Sequence, residues 1–308
     1  MNEVVELLSL CRVRGVSWYF LAREAQRPEG LANLLAGRSS ERSSDAIEGL
    51  AILKSEHSEL ARHRQRVASM LAELDPEVIK VTTVLDDDYP ANLRLIYNLP
   101  PFLIYRGTLQ VDDARSVAVV GTRQATNEGL DRAGRLANQL TQAGVTVLSG
   151  LAQGIDTAAH RATLQAGGRT IAVMGTGINT IYPRENRDLA EQVASTGALV
   201  SQFWPDSPPR TDTFPRRNIV MSGMSQGTVV VEASATSGAK MQARYALEHG
   251  KRVFLLSSLV EDRPWARKYL DRGAVEVRDV DDIVRMLQSP EAVHARSAQR
   301  RQLSLALG

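Results

Sequence analysis

The sequence predicts an α/β fold: a mostly parallel sheet with helices on both faces, preceded by a small all-helical domain. Three observations carry this. From Ser116 onward, near-continuous runs of Val, Ile and Leu alternate with helical segments, as expected of strands buried on both faces. The spacing of those runs permits right-handed crossovers between parallel strands. Before residue 75, apolar residues recur at helical intervals and strand signals are almost absent. The expected division is 1–75 for the helical domain, 76–288 for the sheet domain and 289–308 for a polar tail.

Composition narrows the class. The chain has 308 residues, 43% of them hydrophobic, enough for one large or two modest cores. A formal net charge of +2 is too mild to mark a nucleic-acid binder, so any basic footprint must be local. The single cysteine, Cys11, excludes an intrachain disulfide framework and a multi-cysteine metal site. No run approaches the roughly 18 apolar residues of a membrane helix, and the first segment lacks the ordering of a signal peptide. The expectation is a soluble, cytoplasmic protein with no membrane partner.

In chain order, VVELLSLCRV and SWYFLAREA read as the first two helices, and LANLLAG as a third ending on Gly37. AIEGLAILKSEHSELARHRQRVASMLAEL reads as one long helix or a broken pair. His57 and His63, six residues apart, do not share a face and read as surface residues rather than metal ligands. The HRQR cluster reads as a solvated face in preference to a nucleic-acid contact. VIKVTT is a short strand and FLIYRG another, ending at Gly107. SVAVVG, VTVLSG, RTIAVMG, GALVSQF, TVVVEA and RVFLLSS follow as six strands, with AVEV a candidate seventh. The basic tail, SPEAVHARSAQRRQLSLALG, reads as partly disordered.

In an open parallel sheet, ligands collect beyond the carboxyl ends of the strands. Five loops there have unusual content. In the first, Gly121, Thr122 and Arg123 lead toward a helix whose free N–H groups can face an anion. Arg123 offers the bidentate fork that suits phosphate, against the plainer reading of a surface arginine. The loop is not GxGxxG and no acidic residue ends the next strand, so no dinucleotide site or other cofactor is expected. In the second, Ser149, Gly150 and Gly154 give flexibility, Asp156 caps a helix and His160 follows one turn later. That pair invites an acid–base reading, yet no nucleophile is placed beside it, and a structural or ligand-ordering role is favoured.

In the third loop Gly175 and Gly177 permit close backbone approach. Asn179, Asn186 and Arg187 there either meet a base or phosphate or simply cap the helix. The fourth, SQFWPDSPPRTDTFPRRN, brings Arg210, Arg216, Arg217 and Asn218 near Trp204 and Phe214. Charge beside an aromatic platform suits unpaired nucleic acid. In the fifth, Glu232 ends a strand and either neutralises Arg216 or Arg217 or serves the fold. Lys240 lies near the start of the next helix, where the dipole helps hold phosphate. With no metal cluster and no nucleophile–base constellation, the expectation is an anion cradle without catalytic residues.

Taken in order, GTR after a strand, SGLAQGIDTAAH, GTGINTIYP followed by EN, and FPRRN with SGMS, VVVEA and SG resemble the signature blocks of the DprA/Smf family of bacterial DNA-processing proteins. The resemblance covers roughly residues 80–285. It implies an extended Rossmann-like fold that binds single-stranded DNA, usually as a homodimer. It also implies protection of incoming strands in natural transformation and help in loading a RecA-type recombinase. By the same resemblance Arg123 clasps a backbone phosphate, Gly121 and Thr122 supply turn geometry and donors, and Arg217 and Asn218 share the pocket. Lys240 is no part of that carry-over; its DNA contact is inferred from its position alone. In the helical domain, CRVRGVSWYFLA stands where members often carry a SAM or helix–hairpin–helix-like turn.

Three departures accompany the resemblance. Ile219 follows Arg217-Asn218 where members commonly have a second arginine, leaving Arg216 as a substitute. Ser201-Gln202-Phe203-Trp204-Pro205 lacks the carboxylate of the family's SE-P segment, and EDRPWARKYLDRGA replaces a GTN-like turn. The favoured reading is a noncatalytic single-stranded-DNA binder working with a recombinase. A nucleotide-binding sensor or nucleotide-processing enzyme of the same fold superfamily is the alternative, and turnover would require a role for Asp156, His160 or Glu232. A purely structural domain is the third reading.

Overall fold

The computed structural model describes residues 3–306. Helices α1 (Glu3–Leu10), α2 (Trp18–Ala25), α3 (Gly30–Leu35), α4 (Ser44–Ser55) and α5 (Leu60–Glu73) open the chain. Ser17 and Ser43 start α2 and α4, each hydroxyl accepting a hydrogen bond from a backbone N–H three residues on. The long helical segment is a broken pair, interrupted by a 3₁₀ turn at His57–Glu59. Glu6 of α1 is buried and accepts from Arg64 Nε of α5 through both carboxylate oxygens at 2.9 Å.

The chain forms two compact units. One comprises residues up to Tyr89, residues 97–103 and residues from Ala295; the other comprises 90–96 and 104–294. This differs from the single break expected near residue 75, because local contacts send the connecting chain to both. Tyr89 Oη donates to Pro100 O at 2.6 Å and Val84 N to Pro101 O at 3.0 Å, while Trp18 packs on Phe102 with ring centroids 5.1 Å apart. Leu93 and Ile96 instead lie against Gly223 of the second unit. The expected polar tail is also different. It forms a helix over Pro290–Ala306, whose Val293 is buried with Ala91 and Ala114; residues 307 and 308 lie outside the described residues.

The strands are β1 (Ile79–Thr83), β2 (Phe102–Gly107), β3 (Ser116–Val120), β4 (Thr146–Ser149), β5 (Thr170–Val173), β6 (Ala198–Ser201), β7 (Gly227–Val230), β8 (Arg252–Leu256) and β9 (Val275–Val277). Their order is β1-β2-β6-β5-β4-β3-β7-β8-β9. β2 runs antiparallel to β6, with Ile104 opposite Ser201, and each pairing from β6 to β9 is parallel. From β3 the chain steps through β4 and β5 to β6 in one direction; from β7 it steps through β8 to β9 in the other. The topological switch therefore lies between β3 and β7, where an open sheet leaves a crevice at its carboxyl edge.

Helices α6 (Asn127–Gln142), α7 (Ile155–Gln165), α8 (Arg187–Thr196), α9 (Thr213–Met224), α10 (Gly238–Glu248), α11 (Ser257–Asp262), α12 (Pro264–Leu270), α13 (Val280–Val284) and α14 (Pro290–Ala306) complete the chain. On one face Val117, Val119, Val147 and Val229 pack under Leu136 and Leu140 of α6 and Ile155 and Ala159 of α7. Thr228, which alternates with Val229, lies 3.3 Å from the Gln242 amide of α10 on the opposite face. Every residue of β3 to β7 is buried, which is why these strands lack polar alternation. α9 is buried from Arg217 to Met224, so it is enclosed on all sides after its first turn, and Pro215 sits in that first turn where a missing N–H is tolerated.

Candidate functional site

The carboxyl edge of β3 and β7 holds two adjoining cavities of about 430 and 330 Å³ that share Arg123, Ala152, Gln153, Phe214 and Arg217. The larger is walled by the Gly121–Gln124 loop after β3, by Asn218 and Met221 of α9, and by Ser237–Ala239 at the start of α10. The smaller lies beside Gly150 and runs between Phe214 and the Tyr182–Glu185 segment.

Arg217 is the centre of this arrangement. It is only 7% exposed and donates one hydrogen bond, from Nη1 to Val173 O at 3.3 Å. Its Nε is buried without a partner. Gly150 makes room for the guanidinium, since a Cβ there would overlap Nη1. Burial pulls the Arg217 pKa below its ordinary value, opposed by Asp156 and reinforced by Arg123. A buried cation with a second arginine close by is unfavourable on both counts. An anion in the cavity would relieve both costs at once.

Arg123 is exposed and its guanidinium carbon lies 5.4 Å from the centroid of Phe214. Phe214 is itself fixed from behind by Gly175, where a Cβ would come within 2.7 Å of the ring, and from the side by Tyr182 at 5.9 Å between centroids. The turn carrying Arg123 is held from both flanks. Thr122 N donates to Glu232 O at 2.7 Å, and Ile155 N donates to Thr122 O at 3.3 Å. Gly154 presses on Thr122 O with φ +76°, a conformation and an approach that a side chain would prevent.

Asp156 and His160 share α7 but not a task. Asp156 lines the larger cavity and accepts from Gly150 N at 3.1 Å and Ala152 N at 3.4 Å. Burial raises its carboxyl pKa, while Arg217 and these backbone donors pull the other way. His160 is fully buried and outside both cavity walls. Thr170 Oγ1 donates to Val147 O, so His160 Nδ1–H donates to Thr170 Oγ1 at 2.7 Å. Burial, with Arg217 adding to it, lowers its pKa to about 3 and keeps the ring neutral. The structure therefore gives no acid–base pair.

The remaining expected residues sort into walls, braces and outliers. Gly121, Thr122, Gly150 and Asn218 are wall residues; Asn218 Nδ2 donates to Gly238 O at 3.5 Å. Ser149 donates to Val119 O at 2.7 Å and joins two strand ends. Asn186 is buried and donates to Leu151 O and Thr157 Oγ1, both at 2.9 Å, fixing the loop after β4. Asn179 and Gly177 tie the loop after β5 to the Trp204–Ser207 turn, through Asn179 Nδ2 to Asp206 Oδ1 at 2.9 Å and Gly177 N to Ser207 O at 2.8 Å.

Two expectations change, and the open choice for Glu232 falls to the fold. Glu232 pairs with neither arginine: its carboxylate accepts from Thr126 N and Thr126 Oγ1, at 3.2 and 2.9 Å, and so anchors the start of α6. Arg216 lies over Phe203 at 5.1 Å, outside both cavity walls, because one residue along a helix turns a side chain by about 100°. Lys240 Nζ donates to Ala235 O at 3.1 Å and sits 5.9 Å from the Trp265 ring, also outside the walls. Conversely, Gln153, Tyr182 and Arg184 line the smaller cavity although sequence reasoning does not single them out. An aromatic–proline–arginine run after a glycine-rich turn, IYPR, is the signal that could have found two of them.

Fold and crevice define a class: a doubly wound parallel α/β protein with a cationic crevice at its topological switch point. Residues 80–288 match the family described as DNA recombination-mediator protein A, and the chain belongs to that family. Protein Smf of Synechocystis sp. is 36% identical over 259 residues, covering 83% of this chain and 65% of its own length. Protein Smf of Escherichia coli is 40% identical over 232 residues, covering 73% and 61%. The chain thus spans less than two thirds of these two relatives. DNA processing protein DprA of Bacillus subtilis is 30% identical over 287 residues, covering 92% of this chain and 95% of its own. Among solved structures, DprA from Streptococcus pneumoniae gives a TM-score of 0.76 at 26% identity, covering 94% of this chain and 99% of that one. DprA from Helicobacter pylori, whose structure is described by its single-stranded-DNA binding mode, gives 0.59 at 24% identity, covering 67% and 94%. No helix among the described residues is long and apolar enough to cross a membrane.

Proposed function

We propose that this chain binds single-stranded DNA in the crevice at the carboxyl edge of β3 and β7. A backbone phosphate lies between Arg123 and Arg217, and unpaired bases meet Phe214 and Tyr182. The observation that carries this reading is Arg217, a buried guanidinium whose Nε has no partner and whose side chain lines a cavity shared with a second arginine. Single-stranded-DNA binding by the H. pylori DprA supports the same reading from within the family. Family membership extends the reading to protection of the strand and loading of a RecA-type recombinase, by a cytoplasmic homodimer that acts through binding. The nucleotide-enzyme alternative draws no support from His160 or Glu232, whose polar contacts serve the fold.

The test is titration of labelled oligo-dT, duplex DNA and a nucleotide panel under one salt condition. Oligo-dT should bind best. Arg123→Ala should weaken that binding roughly tenfold, about 1.4 kcal/mol, with Tm unchanged because the side chain is exposed. Its salt dependence should fall by about 0.7 per lost phosphate contact. Tight binding only to a free nucleotide, or an unchanged affinity in Arg123→Ala, would remove the assignment.

A further inference from the structure

The first unit carries a concentration of cations that the crevice does not use. Along α5, Arg62, Arg66 and Met70 follow at four-residue intervals and share one face. Arg12, in the turn after α1, brings Nη2 to 4.0 Å from Met70 Sδ and so continues the row at its end. Arg62 and Arg66 are exposed, and His63 stands between them with a buried Nδ1 that has no partner. Arg62, Arg66 and Arg12 all depress His63, after burial; Arg66 likewise depresses Arg12. Glu59, at 2.9 Å from Arg62, is the carboxylate that acts on His63 in return. Arg64, on another face of the same helix, is paired with the buried Glu6, whereas the Arg62–Glu59 pair lies at the surface.

Like charges at i and i+4 destabilise a helix, so such a row is kept at a cost in stability. Its composition says what would offset that cost. A membrane surface needs apolar side chains to insert, and a protein partner needs an apolar centre to its interface. Among the described residues no large hydrophobic side chain of α5 is exposed. A phosphodiester backbone asks only for repeated positive charge, and Arg62 and Arg66 are set about 6 Å apart along the helix axis.

We propose that Arg12, Arg62, His63 and Arg66 form a second DNA-backbone contact surface on the N-terminal helical unit, one that reads charge and neither sequence nor strandedness. It stands apart from the crevice reading and is tested apart from it. The experiment uses the full chain with Arg62→Gln/Arg66→Gln, on both the wild-type and the Arg123→Ala background. Binding of labelled oligo-dT and of duplex of equal length is measured by anisotropy over a salt series. The double variant should lose about five- to tenfold in affinity for both DNAs on both backgrounds, and its salt slope should fall by about 0.7 to 0.9 per lost contact. Arg62→Lys/Arg66→Lys keeps the charge and should keep the affinity.

Unchanged affinity and slope on both backgrounds would overturn the proposal. So would a loss in the lysine variant as large as in the glutamine variant, since that would be a folding effect. Loss of polyglutamate binding with DNA affinity intact would assign the face to an acidic protein instead. An Arg123→Ala effect without a double-variant effect refutes this surface alone; the reverse pattern refutes the crevice alone.

Discussion

Two arginines at opposite edges of one sheet have opposite fates. Arg169, just before β5 at the amino edge, is saturated: Nε meets Asp113 Oδ1 at 2.6 Å, Nη2 meets Asp113 Oδ2 at 2.8 Å and Thr108 O at 2.5 Å, and Nη1 donates to Thr196 O at 3.2 Å. Arg217, at the carboxyl edge, is more deeply buried yet makes a single hydrogen bond to the protein. The amino edge has closed its charge into the fold. The carboxyl edge has left its charge open toward a cavity. A satisfied guanidinium contributes to stability, whereas an unsatisfied one stores an affinity for something anionic.

Replacing Arg217 should give the largest effect and the clearest break of that comparison. Arg217→Met keeps the volume, removes the buried charge and lets Asp156, already pushed up by burial, take a proton. The expected loss of oligo-dT affinity is roughly 100-fold, about 2.8 kcal/mol, with a Tm equal to or above that of the parent. A fall in Tm with full DNA affinity would mean that Arg217 is a structural residue after all. Arg169→Met should do the reverse. It strips Asp113 of its partner and should cost about 2 kcal/mol of stability, below the usual figure for a fully buried pair because both side chains keep some solvent contact. Its oligo-dT affinity should stay within twofold, and calorimetry beside anisotropy reads both quantities.

The contrast is only half legible in the sequence. Val, Ile and Leu runs locate the strands because burial on both faces leaves little room for polar alternation, and the five loops at their ends follow from that alone. FPRRN points to a basic rim. It cannot reveal which arginine enters the cavity, because that depends on the helical phase set by α9 packing under the sheet. Ile219 stands where the resemblance implies a second arginine, and its 7% exposure shows that the position belongs to the buried body of α9 here. Glu232 takes the fold-serving role and Lys240 departs from expectation for one shared reason. Each finds a nearer backbone partner, Thr126 N and Ala235 O, that proximity in sequence to arginines or a helix start does not disclose. The link between residues 84 and 103 is hidden too, since Tyr89, Leu93 and Phe102 look alike in composition while packing in different units.

His160 sharpens the comparison along a single helix. With a folded pKa of about 3 against an ordinary 6.5, the native state refuses a proton that the unfolded chain accepts. Stability is therefore fully present above pH 6.5 and falls as pH drops toward 3, by about 1.4 kcal/mol per pH unit from this group. In His160→Asn, whatever its starting Tm, the acid-limb slope between pH 6 and 4 should lose one proton. The half-buried His249, lowered to about 4, supplies a similar slope that remains. Oligo-dT affinity above pH 6 should keep its parental profile, since His160 is outside the cavity walls. A bell-shaped activity or an altered binding profile would return it to the site.

Lys240 should give the smallest effect and tests how far the open edge extends. Its backbone N–H is held by Ser237 Oγ at 3.3 Å, which sets the start of α10 at the cavity wall, but its ammonium turns back to Ala235 O and the Trp265 ring. A cation already engaged with a carbonyl and an aromatic face must give up both to reach a phosphate. Lys240→Gln should therefore weaken oligo-dT binding less than threefold, about 0.6 kcal/mol, with little change in salt slope. A tenfold loss matching that of Arg123→Ala would show that Nζ leaves Ala235 when DNA arrives. The edge left open by Arg217 would then continue along α10, and engagement within the free protein would be a poor guide to which cations the strand recruits.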